Sequence, residues 1–210
     1  MIKIKDNATI VFAGDSITHG FSSIEEYKPY GKGFVDFVAN ILLAQNYKSN
    51  LKIYNAGIGG NTTSELLERW QKDVLDLEPD IVVLLIGVND VLRKYEEDRS
   101  DESVSVDQCQ SNIKFMLDTL VKNNVQVVLM QPFMFVKDNY DQRFSDILRY
   151  GDRIKELAEN YSDITFIPMQ EIITKEFEDI DMADVSYDSI HPHRWAHCWL
   201  GLELLKYFTK

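Results

Sequence analysis

The chain has 210 residues, 45% of them hydrophobic and 27% charged, which is the composition of one globular domain over residues 1–210 with a core large enough to need no staples. Asp and Glu number 34 against 22 Lys and Arg, a formal net charge of -12; such a surface repels phosphate backbones and anionic lipid headgroups and argues against nucleic-acid partners and stable membrane association. Two cysteines, Cys109 and Cys198, make no disulfide framework or zinc pattern. The first residues carry no apolar leader, and no apolar run reaches the ~18 residues a spanning helix needs, so the expected location is the cytoplasm.

Taken in order, Ala8 to Ala13 reads as a buried first strand, and Gly33 to Asn46 as a helix with Phe34, Phe37, Val38, Ile41 and Leu42 at helical spacing. Leu51 to Asn55 is the second strand. Thr62-Thr63-Ser64-Glu65 is a capping box, and the helix behind it places Leu66, Trp70, Val74 and Leu77 on one face. Asp80 to Gly87 is a third strand whose continuous apolar run implies burial on both faces, as in a parallel sheet. Glu96 to Asp107 is an acidic surface loop. Ser111 to Lys122 is a helix, Val125 to Gln131 a fourth strand stopped by Pro132, and Phe144 to Asn160 a helix. Ile164 to Ile167 is a fifth strand, and His193 to Phe208 an amphipathic helix with Trp195, Trp199, Leu202 and Leu205 inward. Strands alternating with helices predict an α/β fold, a three-layer α/β/α sandwich around a five-stranded parallel sheet. Ligands of such sheets bind beyond the carboxyl ends of the strands.

The residues in those positions are informative. Gly14-Asp15-Ser16 follows the first strand, Gly57-Ile58-Gly59-Gly60-Asn61 the second and Gly87-Val88-Asn89-Asp90 the third, while Asp188-Ser189-Ile190-His191 lies near the C-terminus. Singly, each reads as a turn or a helix cap. The glycine run lacks the spacing of a dinucleotide fingerprint and the Lys of a phosphate loop. Together they supply a hydroxyl, an imidazole, a carboxylate and polar donors on one rim, the parts that acyl transfer needs.

These four ordered blocks resemble the SGNH hydrolase superfamily, the GDSL esterases and lipases, at Ser16, Gly60, Asn89 and His191. The resemblance covers nearly the whole chain, with Gly-Asp-Ser-Ile in place of Gly-Asp-Ser-Leu in the first block. It implies a flavodoxin-like sandwich with no cofactor and no metal. It also implies Ser16 as nucleophile, His191 as base and then acid, and Asp188 as the group orienting His191. The oxyanion hole would combine the Ser16 and Gly60 N–H groups with the Asn89 amide. The Gly-x-Ser-x-Gly elbow of the rival hydrolase fold is absent, since Ile17-Thr18 follows Ser16.

The expected activity is hydrolysis of short acyl esters, acetyl above all, of a sugar-like alcohol; the partner is then a small-molecule acyl ester. A lysophospholipase or acyl-thioesterase with a longer acyl channel is the first alternative, and a catalytically silent ligand-binding sandwich the second. His19, His193 and His197 are read as surface or capping residues, because no Glu accompanies the pair four apart. Asp15 and Asp90 are read as loop-ordering groups, Phe133-Met134-Phe135 as core, and Trp195 as packing. The sequon Asn61-Thr62-Thr63 lies in the oxyanion loop, where a glycan would block the site.

Overall fold

Apolar β-branched runs set the centre of the fold. A computed structural model describes residues 1–137 and 141–209. After a two-residue strand β1 (Ile2–Lys3), the chain forms β2 (Thr9–Gly14), β3 (Lys52–Gly57), β4 (Ile81–Leu85), β5 (Gln126–Met130) and β6 (Ile164–Ile167), and ends in β7 (Phe208–Thr209). Strands β2 to β6 form a five-stranded sheet, all parallel, in the order β3-β2-β4-β5-β6. Every residue of β2 and β4 is buried, as their unbroken apolar runs require of strands covered on both faces. β1 and β7 pair with each other in parallel, which two-residue segments give no pattern to foresee.

The helices are α1 (Ser16–His19), α2 (Phe34–Gln45), α3 (Thr63–Glu68), α4 (Trp70–Asp73), α5 (Val88–Leu92), α6 (Val106–Lys122), α7 (Gln142–Ala158), α8 (Met169–Glu176) and α9 (Arg194–Leu205). α2 packs on α9, and α6 on both α3 and α7, giving the predicted three-layer sandwich. Among the described residues no helix is long and apolar enough to cross a membrane.

Three readings are corrected. In α9 the buried stripe is Ala196, Leu200, Gly201 and Leu204, whereas Trp195 and Leu202 are exposed and Trp199 and Leu205 only partly buried. Ala196 and Gly201 share that face with two leucines because α2 lies so close; a Cβ on Gly201 would sit 3.2 Å from Val38 Cγ2. The large rings take the flank instead, where Trp199 packs on Phe177 with centroids 4.5 Å apart. The helix expected after Thr62 breaks at Arg69 into α3 and α4, although Leu66, Trp70 and Val74 are all buried. α6 begins at Val106, capped by Ser105, inside the stretch read as loop, and that stretch also contains a 3-10 turn at Ser100–Glu102. The buried Phe133, Met134 and Phe135 are core, as expected.

Candidate active site

The sheet order reverses between β2 and β4, and in such folds the crevice opens at this switch point. Ser16 follows β2 directly and Asn89 follows β4. Ser16 is the first residue of α1, whose cap Asp15 accepts from the Ile17 N–H at 3.0 Å. This one-residue turn from strand to helix lifts the Ser16 hydroxyl to the rim. α1 can lie against β3 only because Gly57 has no side chain; a Cβ there would meet His19 N at 2.3 Å.

The Ser16 Oγ is 2.8 Å from His191 Nε2, and His191 Nδ1 is 2.7 Å from Asp188 Oδ2. Asp188 is fixed in turn, because its Oδ1 accepts from the Ile190 N–H (3.0 Å) and the His191 N–H (2.8 Å). Partial burial pushes the Asp188 carboxyl up, but these amides and the His191 ring together outweigh it and hold it below the usual carboxylate range. A charged Asp188 facing Nδ1 favours the tautomer whose Nε2 can accept the Ser16 proton.

Gly60 and Asn89 line the cleft with Ser16, Asp188 and His191, in a space of about 480 Å³. Gly60 has φ +81, a left-handed conformation in which most side chains are strained. The Asn89 amide donates to Asn61 O at 3.0 Å, which uses one of its two hydrogens and orients the other. Neither the Ser16 nor the Gly60 N–H donates to another described residue. All five residues singled out in the sequence thus converge on one cleft.

Asp15 and Asp90 order loops as expected, and both are deeply buried. Asp90 accepts from the Thr63 N–H at 2.9 Å and from its hydroxyl, and Asn112 donates to that hydroxyl at 3.0 Å. Burial, partly offset by Thr63 and Cys109, raises the Asp90 pKa to about 6. Burial also raises Asp15 to about 7 against the opposing pull of the Ile17 N–H and the nearby His191. His193 Nε2 faces Ala183 O at 3.0 Å, and His197 Nδ1 accepts from the Phe34 N–H at the start of α2, so His197 is a half-buried cap rather than a surface residue. Burial lowers its pKa to about 4. Trp195 donates to Asp184 O at 3.0 Å, in keeping with packing.

Two arginines escaped the sequence reading. Arg93 is buried; it donates to Gly60 O at 2.8 Å and to Glu96 at 2.6 Å, so it grips the left-handed turn. Arg69 donates to Asn61 Oδ1 (2.7 Å), Ala56 O (2.7 Å) and Gly14 O (3.1 Å), tying the ends of β2 and β3 to the same loop. No local pattern marks either one; as i,i+3 and i,i+4 partners of Glu96 and Asp73 they read as ordinary surface pairs. The acidic stretch after Asn89 forms a rim, with Tyr95, Glu96 and Arg99 lining the cleft.

Residues 12–197 match the model of the GDSL-like lipase/acylhydrolase family. An acetylxylan esterase of Geobacillus stearothermophilus is 29% identical, over 98% of this chain and 95% of that protein. The crystal structure of an acetylxylan esterase from Geobacillus stearothermophilus superposes with a TM-score of 0.89 at 27% identity, covering 98% and 95% of the two chains. An arylesterase of Vibrio mimicus is 26% identical over 91% of this chain and 84% of its own. The sheet order, the sandwich and these similarities agree: the chain belongs to the GDSL-like lipase/acylhydrolase family and is a serine carboxylic ester hydrolase.

Proposed function

We propose that the protein removes acetyl groups from carbohydrates through an acyl-enzyme. The observation that carries this reading is the line of contacts from Ser16 Oγ to His191 Nε2 (2.8 Å) and from His191 Nδ1 to Asp188 Oδ2 (2.7 Å), beside Gly60 and Asn89. In the proposed reaction Ser16 Oγ attacks the acetyl carbonyl as His191 Nε2 takes its proton. The charge that develops on the carbonyl oxygen is met by the Ser16 and Gly60 N–H groups and the Asn89 amide. When the intermediate collapses, His191 returns the proton to the sugar oxygen, the alcohol leaves, and acetyl remains on Ser16. Water then attacks that ester with His191 again as base, giving acetate and free Ser16. Asp188 holds the imidazole throughout and stabilises its charged form. The acetyl and carbohydrate parts are supported by the full-length similarity to a protein named acetylxylan esterase.

Three measurements test this. Acetate release from acetylated xylo-oligosaccharides is expected for the wild type and not for Ser16→Ala. Acid-quenched wild type should carry acetyl on the peptide containing Ser16, and a fluorophosphonate should label the same residue. Sugar deacetylation that survives in Ser16→Ala would refute the proposal.

A further inference from the structure

The triad borders a second cleft, distinct from the one that holds Gly60 and Asn89. This cleft starts at Ser16 and His191, passes between Phe21, Tyr187 and Pro192, and encloses about 460 Å³. It shares Phe21, Tyr187, Pro192 and His197 with a further cavity of about 540 Å³ that reaches Tyr27, Lys32 and Asp36. The reactive centre therefore opens onto a long trough.

The wall of this trough is unusual in two ways. The first is exposed aromatic surface: Tyr187 is 71% and Phe21 54% exposed, so neither ring fills the core. The second is backbone strain. Phe21 has φ 64, in the left-handed region that bulky side chains rarely occupy. A ring that is solvent-facing and held on a strained backbone contributes little to the fold, and such outliers point to function. Its neighbours also fix it in place. The Lys32 Nζ lies 4.4 Å from the Phe21 ring centroid and 5.0 Å from that of Tyr27, at cation–π range. Tyr187 packs its ring on His193, with centroids 3.9 Å apart.

We propose that this trough is a subsite for the sugar units that extend beyond the acetylated one, so that the preferred substrate is an oligosaccharide rather than a single sugar. The inference rests on the carbohydrate-ester reading. A pyranose has a flat C–H face and a rim of hydroxyls. The C–H face suits the exposed Phe21 and Tyr187 rings, and the hydroxyls suit the charged groups Lys32, Asp36 and Arg194 further along. An alkyl chain suits only the first part of the trough. Beyond Phe21 it would have to strip water from those charges with nothing to replace it. Because His191 lines this cleft as well as the one holding Gly60 and Asn89, an alcohol leaving into the trough departs within reach of the proton it needs.

The test compares kcat/KM for acetylated xylotriose with kcat/KM for acetylated xylose, and reads their ratio. In the wild type the trimer is expected to be favoured by about tenfold or more, as one good added contact surface gives. In Phe21→Gly, which removes the ring and suits the left-handed backbone, the ratio should fall to about two or below while the thermal midpoint holds or rises. Phe21→Tyr, which restores a ring, should keep the preference. A ratio near one in the wild type, or one unchanged in Phe21→Gly, would overturn the subsite while leaving deacetylation intact. Cleavage of nitrophenyl acetate with no acetate released from either sugar would instead refute the carbohydrate reading beneath it. Faster cleavage of nitrophenyl octanoate than acetate, with that advantage lost in Phe21→Gly, would make the trough an acyl channel and overturn the proposal.

Discussion

Replacing Asp15 by Asn isolates a buried carboxyl directly beside Ser16. The Asp15 side chain is 1% exposed; its Oδ1 accepts from the Ile17 N–H, and its Oδ2 has no partner among the described residues. Burial raises its pKa from 3.8 to about 7. The folded protein thus holds this proton more tightly than the unfolded chain does. The stability this supplies is fully present below pH 3.8 and is lost as the pH rises through about 7. About three pH units at about 1.4 kcal/mol each give about 4 kcal/mol, of which about 3 kcal/mol falls between roughly pH 4.5 and 8.5. Asn keeps an acceptor for Ile17 and never ionises. Urea denaturation of both proteins across that range should therefore show Asp15→Asn gaining on the wild type by about 3 kcal/mol towards alkaline pH. His197 titrates in the opposite sense, since burial lowers it to about 4 and its contribution is lost as pH falls from 6.5. It is present in both proteins and cancels in the difference. Free energies that run parallel from acid to alkaline pH would refute the argument, and would mean that Asp15 ionises as freely in the fold as outside it.

Four further outcomes are expected. Asn89→Ala should lower kcat on nitrophenyl acetate by about 10²–10³, the usual loss for one oxyanion donor; turnover within about threefold of wild type would leave Asn89 a turn residue only. Arg93→Met should release the Gly60 turn and lower kcat by about tenfold with KM little changed, and an unaltered kcat would show that Gly60 needs no external grip. Across nitrophenyl esters, kcat/KM should peak at acetyl or propionyl and fall by about tenfold at octanoyl, because Phe133 to Phe135 are buried in the core and line no acyl groove; a rise from acetyl to octanoyl would favour the lysophospholipase or thioesterase alternative. Dialysis against EDTA should leave activity intact, and a loss restored by zinc would contradict the hydrogen-bonding roles of His193 and His197.

The sheet was legible because parallel strands buried on both faces leave long apolar runs, and β2 and β4 are the clearest of these. Helix boundaries were less so. α6 starts at Val106 amid acidic residues whose polarity reads as loop, although the Ser105 cap sets the start. In α9 the inner face was assigned to the largest apolar residues. Close packing on α2 instead seats Ala196 and Gly201 beside Leu200 and Leu204, and the two small residues give little hydrophobic signal of their own. α8 and the β1–β7 pair are too short for periodicity to accumulate.

The site divides along a different line. Ser16, Gly60, Asn89, Asp188 and His191 could be found because each follows a recognisable element and their chemistry is complementary. Arg69 and Arg93 could not, because what they do is defined only in three dimensions. Each reaches carbonyl oxygens that are remote in sequence, Gly14 and Ala56 for Arg69 and Gly60 for Arg93. Gly14 and Ala56 sit in the last residues of β2 and β3 and Gly60 in the loop beyond them, and a buried acceptor left unpaired costs about 1–3 kcal/mol. A guanidinium suits this task because its donors fan out in one plane and stay charged at any working pH. Gly60 lets this loop turn at φ +81, and the two arginines hold it through Gly60 O and Asn61 Oδ1. A motif made of small residues therefore implies a clamp elsewhere in the chain, and only the fold can say which residue supplies it.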